Sequence, residues 1–163
     1  MDFVTIIIGL ISLALFIVPI MYISRKQKQV AGKAMQEFLA LAGQQELSLT
    51  KYDFWNQRFA LGLDEKQHKL FYFCKQADKE QVLLLDLADV KSCELVKDSR
   101  EVNDNKIIDL IALRLSFRAA KPQLLVFYQK EDNMLLGGEL QLATKWSAII
   151  SEALKNNANK QVA

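Results

Sequence analysis

An uncharged apolar run from Phe3 to Ile23, followed at once by the basic stretch 25–28, constrains this chain more than any other feature. About 21 residues in a helix, at about 1.5 Å per residue, cover about 30 Å, the hydrocarbon thickness of a bilayer. The run therefore predicts a transmembrane α-helix over residues 1–24. Pro19 is tolerated in such a helix, and Tyr22 lies near its end, where aromatic rings sit at the level of the headgroups.

The alternative interpretation of this run is a cleaved signal peptide. A signal peptide carries positive charge before an apolar core of about 7–15 residues and ends in small residues at its cleavage site. Here the only charge before the run is Asp2, and the bulky residues 20–23 stand where small residues are needed. The sequence favours an uncleaved anchor.

Basic residues set the expected orientation of this anchor. Four of them flank its C-terminal end with no acid among them, and none precedes it; they are Arg25, Lys26, Lys28 and Lys33. The positive-inside rule predicts an outside N-terminus and a cytoplasmic C-terminal domain, in a single-pass protein of the bacterial inner (plasma) membrane. The same residues are candidate membrane-surface contacts to anionic headgroups, although the sequence favours a plain stop-transfer flank that binds no specific lipid.

Charge and cysteine usage limit the classes of function. Of the chain's 21 basic and 19 acidic side chains, four basic residues and one acid precede residue 34. The remainder is close to neutral, which argues against a nucleic-acid partner, since such domains present a basic face. Cys74 and Cys93 lie in apolar segments without metal-ligand spacing, and we interpret them as small buried hydrophobic residues.

The chain after the anchor divides into three predicted parts. Residues 25–43 form a basic, amphipathic juxtamembrane helix with Val30, Ala34 and Phe38 on one apolar stripe, and Gly43 is its expected end. This stripe has three available partners: its own domain, a second copy, or the membrane surface. Residues 44–155 form one folded domain, and the polar residues 156–163 form a disordered tail.

The folded domain is predicted to be mainly β. In the sixth candidate strand, leucine and phenylalanine alternate with arginine and serine over residues 113–118, as in a strand with one buried face. Short strands separated by polar turns indicate an antiparallel sandwich or barrel. We predict seven strands, over 47–55, 58–63, 69–75, 82–86, 90–96, 107–118 and 123–129.

A terminal helix is predicted to follow the strands. Gly137 and Gly138 interrupt the β pattern, and apolar residues then recur at helical spacing from Leu140 to Leu154. Trp146 lies at the centre of this apolar face, which must be buried against the domain.

Seven strands in a meander followed by one amphipathic helix is the element order of the pleckstrin-homology-like barrel. Three segments of this chain resemble small bacterial members of that superfamily. They are the hairpin from Ala60 to Tyr72, the stretch from Val82 to Val90 with Cys93 to Leu95 after it, and the closing helix with Trp146. The resemblance covers about residues 47–155 and implies two packed sheets in a barrel or sandwich closed by the C-terminal helix.

The resemblance also implies a class of function, because such domains mostly bind peptides, proteins or lipids and are seldom catalysts. Members that bind phosphoinositides carry several basic residues around the first hairpin. Only Lys51 and Arg58 flank that hairpin here, so inositide binding does not carry over.

The sequence offers no catalytic, cofactor-binding or metal-binding motif, and we predict a protein that is not an enzyme and needs no cofactor. The chain has a single histidine, His68, in a polar turn. A cluster of basic residues around the sixth strand includes a candidate anion patch formed by Arg114 and Arg118, although a solvated strand face explains it as well. Five aromatic residues are either core or the lining of a peptide groove: Phe54, Trp55, Phe71, Tyr72 and Phe73.

The expected function is that of a membrane-tethered cytoplasmic interaction domain, held to the bilayer through Phe3–Ile23, that binds an unidentified protein or peptide. The alternative, from a different class, is a module that senses anionic lipids at the membrane surface.

Overall fold

The computed structural model describes residues 32–76, 79–102, 105–131 and 136–162, and it divides the chain into two units between Leu41 and Ala42. The described part of the first helix, α1, covers residues 32–44. It ends in a Schellman motif, in which the Leu47 N–H donates to the Ala42 carbonyl at 3.0 Å and the Glu46 N–H donates to the Gly43 carbonyl at 3.0 Å. Gly43 therefore lies inside the helix, and Glu46, with φ 55°, takes the left-handed position expected of a glycine.

The first four strands form an antiparallel sheet in chain order. They are β1 (Lys51–Trp55), β2 (Phe59–Asp64), β3 (Lys69–Gln76) and β4 (Lys79–Asp86). A tight turn joins β1 to β2: Asn56 and Gln57 have φ of 51° and 55°, and the Arg58 N–H donates to the Trp55 carbonyl at 3.3 Å. Two consecutive positive φ values make this a type I′ turn, whose twist matches that of a β-hairpin.

The last three strands form a second antiparallel sheet, also in chain order. They are β5 (Val90–Val102), β6 (Asn105–Phe117) and β7 (Gln123–Gln129). The β5–β6 hairpin extends past β7, which pairs with β6 only between Leu110 and Leu115. The polar segment 97–105, predicted as a loop, mostly belongs to this hairpin, where the Arg100 Nε and an Asp109 oxygen form an ion pair at 3.2 Å.

The core lies between the inner faces of the two sheets and α2 (Glu139–Val162). Alternate residues of β2 and β3 enter it, as the period of a strand requires. Trp55 stacks on Phe59 and Phe127 with ring centroids 5.7 and 4.6 Å away. Its Nε1 donates to the Phe127 carbonyl at 2.9 Å, and the Tyr72 hydroxyl donates to the Val126 carbonyl at 3.0 Å. These two hydrogen bonds connect the sheets.

The terminal helix α2 packs against all three strands of the second sheet. Trp146 is completely buried, and its Nε1 donates to Asp53 Oδ2 at 2.8 Å. The buried carboxylate of Glu139 accepts the Gly137 N–H at 2.6 Å and Asn56 Nδ2 at 2.9 Å, so the helix begins tied to the first hairpin. The helix continues past Leu154 to Val162, because no glycine or proline interrupts it.

The predicted closed barrel is wrong. The seven strands form two separate open sheets, and no strand of the first pairs with a strand of the second among the described residues. Where β1 and β7 approach each other, the stacked rings of Trp55 and Phe127 occupy the corner. Strands separated by packed rings cannot reach the spacing of about 4.8 Å that a backbone ladder needs, and side-chain hydrogen bonds join them instead.

The predicted transmembrane helix over residues 1–24 lies outside the described residues. Across the ranges that the structure does describe, no helix combines the length and the apolar character that are needed to cross a bilayer. α2 has 24 residues, but its exposed face carries charged side chains, among them Lys145, Glu152 and Lys155. On this finding we correct three predictions. They are the transmembrane helix in the fold class, the description as a single-pass membrane protein, and the placement in the inner membrane with a cytoplasmic domain.

Candidate functional site: the free edge of β4

Each open sheet has two edge strands, and three of the four described edges are protected. β1 is only five residues long. β5 carries a series of charged side chains, and its pairing with β6 has two register shifts. On β7, the carbonyls of Val126 and Phe127 already accept hydrogen bonds from Tyr72 and Trp55. Shortness, charge, bulges and coverage are the usual means by which proteins keep sheet edges from pairing with other chains.

β4 has none of these protections over its central part. It is eight residues long, pairs with β3 in continuous register, and is uncharged from Gln81 to Leu85. Within the described sheet β3 is its only neighbour. A long, apolar and unbulged edge strand is a template on which another extended chain can add.

The pairing register identifies which backbone groups of β4 face this free edge. The Leu87 N–H donates to the His68 carbonyl at 2.9 Å, which fixes the hydrogen-bonded pairs of the β3–β4 ladder. Because such pairs alternate along an antiparallel ladder, Leu83 and Leu85 point their N–H and C=O groups at β3. Val82 and Leu84 therefore point theirs away from the sheet.

The same two residues also expose their side chains. Val82 is 44% exposed and Leu84 is 40% exposed. On the neighbouring strand they lie opposite Phe73 and Phe71, which are buried on that face of the sheet. The free edge thus offers two apolar side chains and their outward-facing backbone groups on one line, spaced two residues apart.

A cleft of about 380 Å³ adjoins the C-terminal end of β4. It lies between β4 and the loop from β6 to β7, and the Arg118 N–H, which donates to the Asp89 carbonyl at 3.1 Å, fixes the start of that loop. Its walls are mainly apolar, with two acids and two bases among them: Leu84, Leu85, Asp86, Asp89, Phe117, Arg118, Ala119, Ala120, Lys121 and Gln123. The size and mixed lining suit one or two side chains of a bound segment.

The structure separates the two arginines of the predicted anion patch. β6 ends at Phe117, so Arg118 lies in the following loop and lines the cleft. Arg114 remains inside β6, on the exposed face of the second sheet, paired in register with Glu94 on one side and Leu124 on the other. The predicted membrane-surface residues Arg25, Lys26 and Lys28 lie outside the described residues, and Lys33 is exposed on α1.

A second cleft, also of about 380 Å³, lies between β1, the turn after β2 and α2. Lys51 Nζ and Glu65 Oε1 form an ion pair there at 2.8 Å. The hydrogen bond between them lowers the pKa of Glu65 and raises the pKa of Lys51. His68 lines the same cleft in a turn with φ 55°. Lys51 is satisfied internally, which makes this cleft the weaker candidate for a partner.

Neither cleft brings together the groups of a metal centre. Within the ranges that the structure describes, no three His, Cys, Asp or Glu side chains converge so that they could hold a metal ion. Of the five aromatic residues considered for a peptide groove, Phe54 is half-buried and the other four are buried.

Val82 and Leu84 were missed by the sequence reasoning. Residues 82–85 are all apolar, so the alternation that separates a buried from an exposed face is absent there. The only signal was the position of this run between two predicted turns, and that does not distinguish an edge strand from a central one.

The chain was compared with models of protein families, with curated proteins and with solved structures, and none of them matches it.

Proposed function

We propose that this protein is a non-enzymatic interaction domain that binds an extended segment of a protein partner by adding it to the sheet along β4. The observation that carries the proposal is the free β4 edge, where Val82 and Leu84 combine exposed apolar side chains with outward-facing backbone groups. In binding by strand addition, main-chain hydrogen bonds supply affinity and alternate side chains supply specificity.

The neighbouring cleft supports the same function. It begins at Leu84 and Leu85, in line with the strand, and ends at the β6–β7 loop. A segment added to β4 therefore has room to place a side chain beyond the end of the strand. Core packing on the opposite face of β4, through Leu83 and Leu85, holds the edge rigid before the partner arrives.

The test uses the full chain and a neutral heptapeptide of alternating threonine and aliphatic residues, followed by amide hydrogen exchange. We expect the peptide to slow exchange at the amides of Val82 and Leu84. The amides of Leu83 and Leu85 already bond to β3 and should change little. A peptide N-methylated at the amides that donate to β4 is the control, because it keeps the side chains and loses the hydrogen bonds.

Two variants locate the binding. Leu84→Lys places a charge on the edge, as natural edge strands do, and should weaken peptide binding by about tenfold, which corresponds to about 1.4 kcal/mol. Leu124→Lys is the matched control, since Leu124 is as exposed, at 44%, but lies on β7. Unchanged exchange at Val82 and Leu84, or equal binding of the N-methylated peptide, would refute strand addition.

A further inference from the structure

The charges on β4 point to the chemistry of the partner segment. We infer that it is a strand with two alternate apolar residues flanked, on the same face, by lysine or arginine, and that it comes from another protein. This inference depends on the proposed strand addition, and it adds the class of sequence that the edge selects.

Two exposed carboxylates flank the apolar pair on β4. Glu80 lies two residues before Val82, and Asp86 lies two residues after Leu84. With a side-chain period of two, all four share one face and one edge of the strand. Asp86 Oδ1 accepts the Ala88 N–H at 2.8 Å, and this holds the carboxylate at the end of the strand with its second oxygen available.

Residues directly opposite each other in an antiparallel pair have their Cβ atoms about 4.5–5.5 Å apart, and opposite charges there stabilise the pair. A partner strand that covers Val82 and Leu84 with apolar residues must therefore place its outer residues opposite Glu80 and Asp86. The complementary partner segment therefore has basic residues at its first and seventh positions, apolar residues at its third and fifth positions, and any residue between them. Neighbouring bases do not reverse this preference. Lys75 and Lys69 lie opposite Glu80 and Asp86 on β3, but they are two strand spacings, about 10 Å, from the outer residues of a partner strand. Arg118 and Lys121 share their cleft with Asp86 and Asp89.

The same charges disfavour a second copy of this chain as the partner. If two β4 strands pair with Val82 opposite Leu84, then Glu80 lies opposite Asp86 at both ends, and like charges in that position are destabilising. The two shifted registers are also unfavourable, because each places an apolar residue opposite a carboxylate. With Val82 opposite Val82 of the other copy, Leu84 lies opposite Glu80. With Leu84 opposite Leu84, Val82 lies opposite Asp86. The acids thus protect the edge against self-pairing while leaving it open to a basic strand.

The experiment compares two fluorescent heptapeptides in binding to the full chain by anisotropy at low salt. Both have valine and leucine at the third and fifth positions and threonine between; one carries lysine at both ends and the other glutamate. We expect the lysine-flanked peptide to bind about tenfold more tightly, and added salt to reduce this difference. Glu80→Lys should reduce the preference to about threefold or less. Asp98→Lys on β5, an exposed acid with the same change of charge, should leave it unchanged.

The outcomes separate the two proposals. Equal affinities for the two peptides would overturn the charge preference and leave strand addition standing. Binding of neither peptide would overturn both proposals. A dimer of the wild-type chain in sedimentation analysis, dissociated by Val82→Lys and unaffected by Leu124→Lys, would show that the partner is a second copy and would overturn the inference that it is a basic strand from another protein.

Discussion

Replacing Trp146 tests how α2 is attached to the two sheets. Its side chain is completely buried in the core, and its Nε1 donates to Asp53 Oδ2 at 2.8 Å. Truncation of a buried Trp to Ala costs about 3–5 kcal/mol of unfolding free energy, because apolar contacts are lost and a cavity remains. Asp53 keeps a second donor, Lys145 Nζ at 2.7 Å, so no isolated carboxylate is added to this cost.

The conservative variant separates packing from hydrogen bonding. Trp146→Phe keeps most of the ring contact and removes the donor, and a hydrogen bond to a charged acceptor contributes about 1.5–3 kcal/mol. We therefore expect Trp146→Phe to lose about half as much unfolding free energy as Trp146→Ala. Lys155→Ala, an exposed residue on the same helix, should stay within about 0.5 kcal/mol of the wild type.

The assay is urea unfolding of the full chain followed by far-ultraviolet circular dichroism. With a slope of about 2 kcal/mol per molar urea, the alanine variant should unfold at a midpoint lower by about 2 M. Lys145→Ala is an unsuitable control, although its position on the helix suggests an exposed face, because its ion pair with Asp53 would be lost with it. Equal midpoints for the wild type and Trp146→Ala would mean that α2 is not part of the cooperative core.

Three further outcomes follow from local geometry. Gln57→Gly should raise the unfolding free energy by about 1 kcal/mol and Gln57→Ala should not, in the same urea assay, because φ at this turn residue is 55°. Burial raises the pKa of Asp64, but backbone N–H donors from Gln67, Ser48 and Lys66 outweigh it and hold that pKa below its ordinary value. The stability that Asp64 contributes is thus present above about pH 4 and is lost as the pH falls through its folded-state pKa. Asp64→Asn should therefore reduce the loss of unfolding free energy that is measured between pH 4 and lower pH. Burial raises the pKa of Cys93 to about 11, so native-state alkylation should be slow at pH 8 and should accelerate towards pH 11.

The strands could be predicted from the sequence because most of them bury one face. Predicted and observed bounds agree to within two residues for β2, β3 and β6, and coincide for β7. The distal part of β5 was missed because the hairpin there extends past β7 and has no buried face to produce alternation. The hydrogen bond from Trp55 to Phe127 joins residues 72 positions apart, and no local pattern signals it. Whether the two sheets join into a closed barrel therefore could not be predicted from local sequence patterns.

Arg114 and Arg118 show the same limit within the candidate site. Their even spacing predicts a shared strand face, and this would hold if β6 continued. The strand ends at Phe117, and Arg118, whose N–H still donates to the Asp89 carbonyl opposite it, begins the loop that lines the cleft beside β4. The alternation of side chains between the two faces of a strand is set locally, whereas the residue at which a strand ends depends on where the neighbouring strand ends.

The two faces of β4 differ in what their side chains contact. Leu83 and Leu85 must be apolar because they pack on the core. Val82 and Leu84 lie on the other face, opposite Phe73 and Phe71, and remain 44% and 40% exposed on an edge strand, where lysine or glutamate would protect the sheet. Carboxylates do appear, at Glu80 and Asp86, but only at the ends of the apolar pair. Edge strands protected against aggregation carry charge at their centre, whereas β4 keeps an apolar centre and confines charge to its ends, the pattern that the proposed strand addition requires.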